Sequence, residues 1–166
     1  MFPISLRHFY MGRDVTHAPD LTPEITENAV ALLHAVNALL EFAEADGVRP
    51  ALDEHTGTYV ASGWRPPAVN DRTANSAKGT STHLSGEGID LQDHADRRLA
   101  VWCCRNTDLL ERLGLYAENP CWTGGVSPWL HLQSRPPKSR RRFYIPSATQ
   151  PANDPQFYAR NGLKAA

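Results

Sequence analysis

Three residues stand where a metal ion could be held. His83 and Asp90 lie in His83-Leu84-Ser85-Gly86-Glu87-Gly88-Ile89-Asp90, seven positions apart with two glycines between them. The glycines allow a tight reversal, so both side chains can converge on one point. A third candidate, His131, sits in Trp129-Leu130-His131-Leu132-Gln133. If that run is a strand with Leu130 and Leu132 on the core, His131 faces the opposite side. Two imidazoles and one carboxylate form a three-ligand set with an open fourth position. Catalytic zinc sites have that pattern, whereas structural ones are usually closed by four ligands. The spacing alone leaves a plainer reading open, in which His83 and Asp90 share a turn hydrogen bond.

The elements that must position these residues follow from the pattern along the chain. Residues 1–21 read as irregular. Thr22-Pro23 is a helix start, with Thr at the N-cap and Pro at the first helical position. Ile25, Ala29, Leu32, Val36, Leu39 and Ala43 follow in steps of three and four, and Gly47 is a stop, which predicts a helix over 23–46. Thr58 to Ser62 reads as a strand. Residues 63–82 read as a long loop, of a kind often functional. Ile89 to Leu91 reads as a strand, Asp96 to Leu113 as a second helix, and residues 115–128 as a loop. Two more strands are expected at Trp129 to Gln133 and Arg142 to Ile145. From Ser147 the chain is polar and without period, so 1–146 reads as one domain and 147–166 as an arm or disordered tail.

Composition limits the function classes. The chain has 166 residues, 41% hydrophobic and 21% charged, which suits one globular domain and excludes a disordered chain. Its longest apolar segment, Ala29 to Ala45, is broken by His34, Asn37, Glu41 and Glu44, so no membrane span is expected. Met1 to Val15 has no apolar h-region, so no secretory signal is expected. Net charge is −1, but residues 1–54 hold 9 acids against 3 bases and the remainder is basic. Cys103, Cys104 and Cys121 are odd in number and two are adjacent, which points to reduced, mostly buried thiols.

Ser81-x-His83-x-x-Gly86-x-x-x-Asp90 resembles the Ser-x-His-x-x-Gly-x-Ala-x-Asp motif of zinc D-alanyl-D-alanine peptidases, which share a fold with hedgehog signalling domains. Upstream, Ser62-Gly63-Trp64-Arg65-Pro66-Pro67 with Asn70 is similar to that family's Ser-Gly-Tyr-Arg-(Ser)-Pro…Asn segment. Downstream, Trp129-Leu130-His131-Leu132 resembles the strand carrying its third ligand. The three blocks keep the family's order and separations from about residue 21 to 146. With Leu132-Gln133-x-Arg135-Pro136-Pro137-Lys138-Ser139, the chain looks most like peptidases encoded by bacteriophages and prophages.

The resemblance implies that His83, Asp90 and His131 bind one zinc ion, that Arg65 holds substrate or the developing oxyanion, and that Ser81 shapes the substrate pocket. It departs from the family just before the third ligand. Family members place a general base there, as Glu-x-x-His or His-x-His, whereas this chain has Pro128 and Trp129. Glu118 is the nearest upstream carboxylate, brought in if the 119–128 loop allows it. Glu87 and Asp93 are the other candidates. Trp129 and Trp64 flank the expected cleft and could pack or stack on substrate.

The expected fold is α+β, a small and mainly antiparallel sheet with the helices 23–46 and 96–113 on one side, hedgehog/DD-peptidase-like. The zinc site is expected in an exposed groove on the other side. The expected function is zinc-dependent hydrolysis of peptide bonds in bacterial peptidoglycan stem peptides, at a D-Ala-D-Ala end or an L-Ala-D-Glu bond. Such a monomer would be made in the cytoplasm and reach the wall through a holin or as part of a virion. A rival expectation is an inactive, zinc-stabilised wall-binding or virion module. Nucleic acid binding through Arg135, Lys138, Arg140, Arg141 and Arg142 is a weaker third.

Overall fold

In a computed structural model, described here for residues 3–74, 76–119, 128–140 and 142–144, the longest element is set by its caps. The Thr22 hydroxyl accepts from the Ile25 N–H at 3.2 Å, and Pro23 opens the helix. At the far end Gly47 takes a left-handed φ of +76°. Its N–H donates to the Glu44 carbonyl and the Val48 N–H to the Ala43 carbonyl, a Schellman stop. This helix, Pro23–Ala45, buries Ala29, Leu32, Val36, Leu39 and Ala43 of the expected stripe, while Ile25 is only half-buried against the core.

Three short helical pieces precede it, where the sequence reads as irregular. They are α1 (Leu6–Tyr10), α2 (Arg13–Thr16) and a 3-10 turn (Ala18–Asp20), so the long helix is α3. Ser5 and His8 cap α1 reciprocally, His8 standing where Glu is usual. Burial of Phe9 and Tyr10 then holds a five-residue helix that would be marginal alone.

The strands are β1 (Val60–Ser62), β2 (Gly88–Gln92), β3 (Tyr116–Glu118), β4 (Trp129–Gln133) and β5 (Phe143–Tyr144). They form one sheet in the order β1-β2-β4-β3-β5. The first three pairings are antiparallel and β3–β5 is parallel, so the sheet is mixed. The cause is topological. The chain reverses once after β4, so β5 runs against β4 and therefore along β3, which lies between them. The fold is α+β, with Val60, Ile89, Leu91, Ala117, Leu130 and Leu132 joining the stripe of α3 in one core.

The sequence reading needs three further corrections. The loop 63–82 contains a helix, α4 (Pro67–Arg72), with Pro67 at its first turn. The helix expected over 96–113 is two, α5 (Arg98–Arg105) and α6 (Thr107–Arg112). Asn106 breaks it, its side chain donating to the Trp102 carbonyl and its N–H to the Cys103 carbonyl. Both α5 and α6 supply core residues, among them Leu99, Cys103 and Leu110. The expected loop 115–128 begins with β3, while Cys121 and the rest of 120–127 lie outside the described residues, as do Ile145 and the tail 147–166. No helix among the described residues is long and apolar enough to cross a membrane.

β1 is tied to the N-terminal helix by a close backbone approach. The Trp64 N–H donates to the Phe9 carbonyl at 3.1 Å. A Cβ on Gly63 would lie 1.8 Å from that carbonyl oxygen. Gly63→Ala is therefore expected to destabilise the fold by at least ~1–3 kcal/mol, the range for overpacking. Thermal melts read this as a Tm loss of several degrees. An unchanged melt would mean that α1 does not seat on β1.

Candidate metal centre

β2 and β4 pair so that Asp90 lies opposite His131. Their neighbours Ile89, Leu91, Leu130 and Leu132 are fully buried on the core side. Strand alternation therefore sends Asp90 and His131 to the other face. His83 arrives from the turn before β2. Gly86 makes that turn with a φ of +79°, and a Cβ there would sit 2.5 Å from the Ile25 carbonyl oxygen. This reversal brings the two ends of the motif together.

The three side chains meet. Asp90 Oδ1 is 2.7 Å from His131 Nδ1 and 3.3 Å from His83 Nε2. One ligand atom from each lies within 4.8 Å of the others. His83 Nδ1 donates to the Gly63 carbonyl at 2.7 Å, which leaves Nε2 as the nitrogen with a lone pair. That Nε2 is buried and makes no hydrogen bond, although it is within ion-pair range of Asp90. An orphaned buried acceptor beside a carboxylate and a second imidazole is what a divalent cation would satisfy. The residues fit such an ion, and the set of two nitrogens and one oxygen suits zinc among others. The cluster can hold one metal ion.

The site lies on the expected face but is not an exposed groove, because His83 is only 2% exposed and His131 7%. Burial pushes the Asp90 carboxyl up, but the charges and hydrogen bonds of His83 and His131 outweigh it and hold the group far below the carboxylate range. Burial pushes both histidines down. It prevails at His83, whereas at His131 the bond to Asp90 reverses it.

Arg65 is buried beside the cluster, and burial opposes its charge while Asp90 supports it. Its N–H donates to the His83 carbonyl at 3.0 Å, and its Nη2 is 3.8 Å from Asp90 Oδ2. Its Nε is buried without a hydrogen-bond partner. Glu118 also reaches the site face, carried by β3 and not by the loop 119–128. The pairings Tyr116–Gln133 and Ala117–Leu132 set it across from His131 in register. Burial pushes its carboxyl up to about 7, with His131 pulling down and Asp90 adding to the rise. It is poised to change charge near neutral pH.

The other candidates divide. Ser81 serves the turn, its Oγ accepting from the His83 N–H at 3.3 Å. Trp129 shares a strand face with His131, two residues along. Trp64 is fully buried, its Nε1 donating to the Leu84 carbonyl, so it packs and cannot stack on substrate. Asp93 caps α5 by accepting from the Leu99 and Ala100 N–H groups, and Glu87 is held by Ser85 and Arg135. Neither is placed as a base. Within the basic run, Arg135 also bonds the Thr80 carbonyl, and Arg142 stacks on Tyr116 at 4.3 Å. Arg141 is outside the described residues.

Sequence reasoning missed Gln133, Tyr144 and Arg13. Gln133 Oε1 is 3.2 Å from His131 Nε2, and Tyr144 O–H donates to the same oxygen at 2.5 Å. Gln133 follows His131 by two positions on one strand, which is a readable cue. Arg13 donates to the Trp64 carbonyl from α2, and its charge is opposed first by burial and then by Arg65. Nothing in the sequence links it to Arg65.

The raised Glu118 carboxyl has a consequence for the metal-free chain. A group held above its ordinary range stabilises the fold below that range, and the contribution is lost as pH rises through about 7. Glu118→Gln is therefore expected to match the wild type in acid and to melt higher by a few degrees in mild alkali, where ~1 kcal/mol moves Tm by roughly 2–4 °C. Parallel melts across the pH range check this. Equal melting at alkaline pH would show that Glu118 is not buried beside Asp90.

No family model matches this chain, and no curated protein or solved structure matches it either.

Proposed function

We propose that the chain is a zinc-dependent peptidase with a hedgehog/DD-peptidase-like fold, and that it hydrolyses peptide bonds in bacterial peptidoglycan stem peptides. One observation carries the reading. A buried His83–Asp90–His131 cluster faces a carboxyl held up to about 7 on the neighbouring strand. The resemblance of three sequence blocks to zinc D-alanyl-D-alanine peptidases supports the choice of metal and substrate. It leaves two bonds as targets, the D-Ala-D-Ala end and the L-Ala-D-Glu bond. A phage setting, with release by a holin or carriage in a virion, belongs to the same proposal.

A bound zinc ion supplies Lewis acidity, polarising a scissile carbonyl and making water nucleophilic near neutral pH. His83 would hold it through Nε2, because Nδ1 is engaged by the Gly63 carbonyl. Asp90 supplies a carboxylate that stays ionised at all working pH. Glu118 takes a proton at its carboxylate from the attacking water and returns it to the leaving amine. Burial raises this carboxyl above its ordinary range, which favours its holding a proton between the two transfers. Arg65 brings a fixed positive charge beside Asp90, where it would meet negative charge developing on the substrate oxygen.

The rival reading, an inactive zinc-stabilised module, draws on the deep burial of the two histidines. Glu118 weighs against it, because a structural site does not require an isolated carboxyl beside its ligands.

The test is hydrolysis of purified peptidoglycan by the zinc-loaded chain, read by new amino groups and fragment masses. Glu118→Gln is expected to lower kcat by about 10²–10⁴-fold while retaining the metal. Metal bound with no cleavage by the wild type would favour the rival module. Full activity in Glu118→Gln would remove Glu118 as the base.

A further inference from the structure

The two histidines of the cluster face it through different nitrogens. His83 turns Nε2 inward, and His131 turns Nδ1 inward. For His83 the reason is the bond from Nδ1 to the Gly63 carbonyl. For His131 the reason lies on the outer side of the ring.

Gln133 sits there, 6% exposed. Its Nε2 donates to the Arg135 carbonyl, which can only accept. That contact decides which way the amide points, since the reverse orientation would set two acceptor oxygens against each other. Oε1 is thereby turned toward Tyr144 and His131. It has no proton to give, so Tyr144 O–H donates to it at 2.5 Å and His131 Nε2 must donate to it at 3.2 Å. Thr82 Oγ1, 3.5 Å from the same nitrogen, can donate or accept and does not choose between tautomers.

We propose that Gln133 is a positioning residue. Clamped between the Arg135 carbonyl and the Tyr144 hydroxyl, it holds a proton on His131 Nε2 and reserves Nδ1 for the metal. The proposal deepens the metal-centre reading and rests on it. Nδ1 faces Asp90 Oδ1 at 2.7 Å, on the side of the ring turned toward the cluster. The clamp also gives β5 a task, since Tyr144 reaches the centre only if β5 is paired with β3. Partners of this kind commonly set ligand orientation and basicity, and losing one weakens metal binding about 10–100-fold.

The test uses the full chain, zinc ion alone as the probe, and two readouts other than activity. Calorimetry gives stoichiometry and affinity. Long-range ¹H–¹⁵N correlation of the imidazole rings shows which nitrogen of His131 carries hydrogen in the zinc-loaded state. The expected wild-type result is one zinc per chain with hydrogen on Nε2. Gln133→Met is expected to weaken zinc binding about 10–100-fold and to mix the His131 tautomers. Gln133→Glu, which keeps an acceptor, is expected to restore the Nε2–H signature, and Tyr144→Phe to weaken binding less than Gln133→Met. Zinc bound with hydrogen on Nδ1 would overturn this proposal and leave the metal centre standing. No zinc bound by the wild type would overturn both. The wild-type spectrum decides even if Gln133→Met fails to fold. A Gln133→Met chain that folds and keeps full affinity and a single Nε2–H tautomer would also overturn it.

Discussion

A carboxylate taken out of water is the constraint on which this structure depends. Asp90 sits mid-strand in the sheet with its side chain only 13% exposed. An ionised carboxylate there would be strongly unfavourable without compensating charge or hydrogen bonds. His131 supplies a hydrogen bond from the paired strand, His83 approaches from the preceding turn, and Arg65 stands at 3.8 Å. Each partner in turn requires a piece of fold. The β2–β4 register sets His131 opposite Asp90, the Gly86 turn returns His83, and the Gly63 carbonyl orients its ring. Shifting β4 by one residue would replace His131 with a leucine and send the imidazole into the core.

The same row of the sheet continues past the ligands. Across β4 from Asp90 comes His131, then Glu118 on β3, then Tyr144 on β5. Neighbours that share one face of a sheet feel each other's charge through a poorly screening medium. This is why Glu118 and Tyr144 are both pushed up, each by burial first and then by nearby acids. A cation in the cluster would reverse part of that pressure.

The members of the cluster were legible only in part from short-range rules, and it was the resemblance of three sequence blocks that joined His131 to His83 and Asp90. Two glycines within seven residues imply a reversal, and Leu130-His131-Leu132 implies alternation. Helix α3 was legible for the same kind of reason, through Thr22-Pro23, its stripe and Gly47. What escaped depended on tertiary contact. β3 has three residues, too few for a pattern, and is held by pairing on both edges. Helix α1 forms because Phe9 and Tyr10 find a core. Reading residues 115–128 as a loop left the approach of Glu118 to chance, whereas the register of β3 dictates it. The split of the 96–113 helix turned on one side chain, Asn106, whose hydrogen bonds compete with the helical ladder.

The most direct measurement of the central claim is anomalous X-ray scattering at the zinc edge from crystals of the zinc-loaded chain. The account predicts one strong peak within about 2.0–2.2 Å of His83 Nε2, His131 Nδ1 and an Asp90 oxygen, the usual range for zinc with nitrogen and carboxylate ligands. A zinc ion found elsewhere with this cluster empty, or no ordered zinc at all, would contradict it.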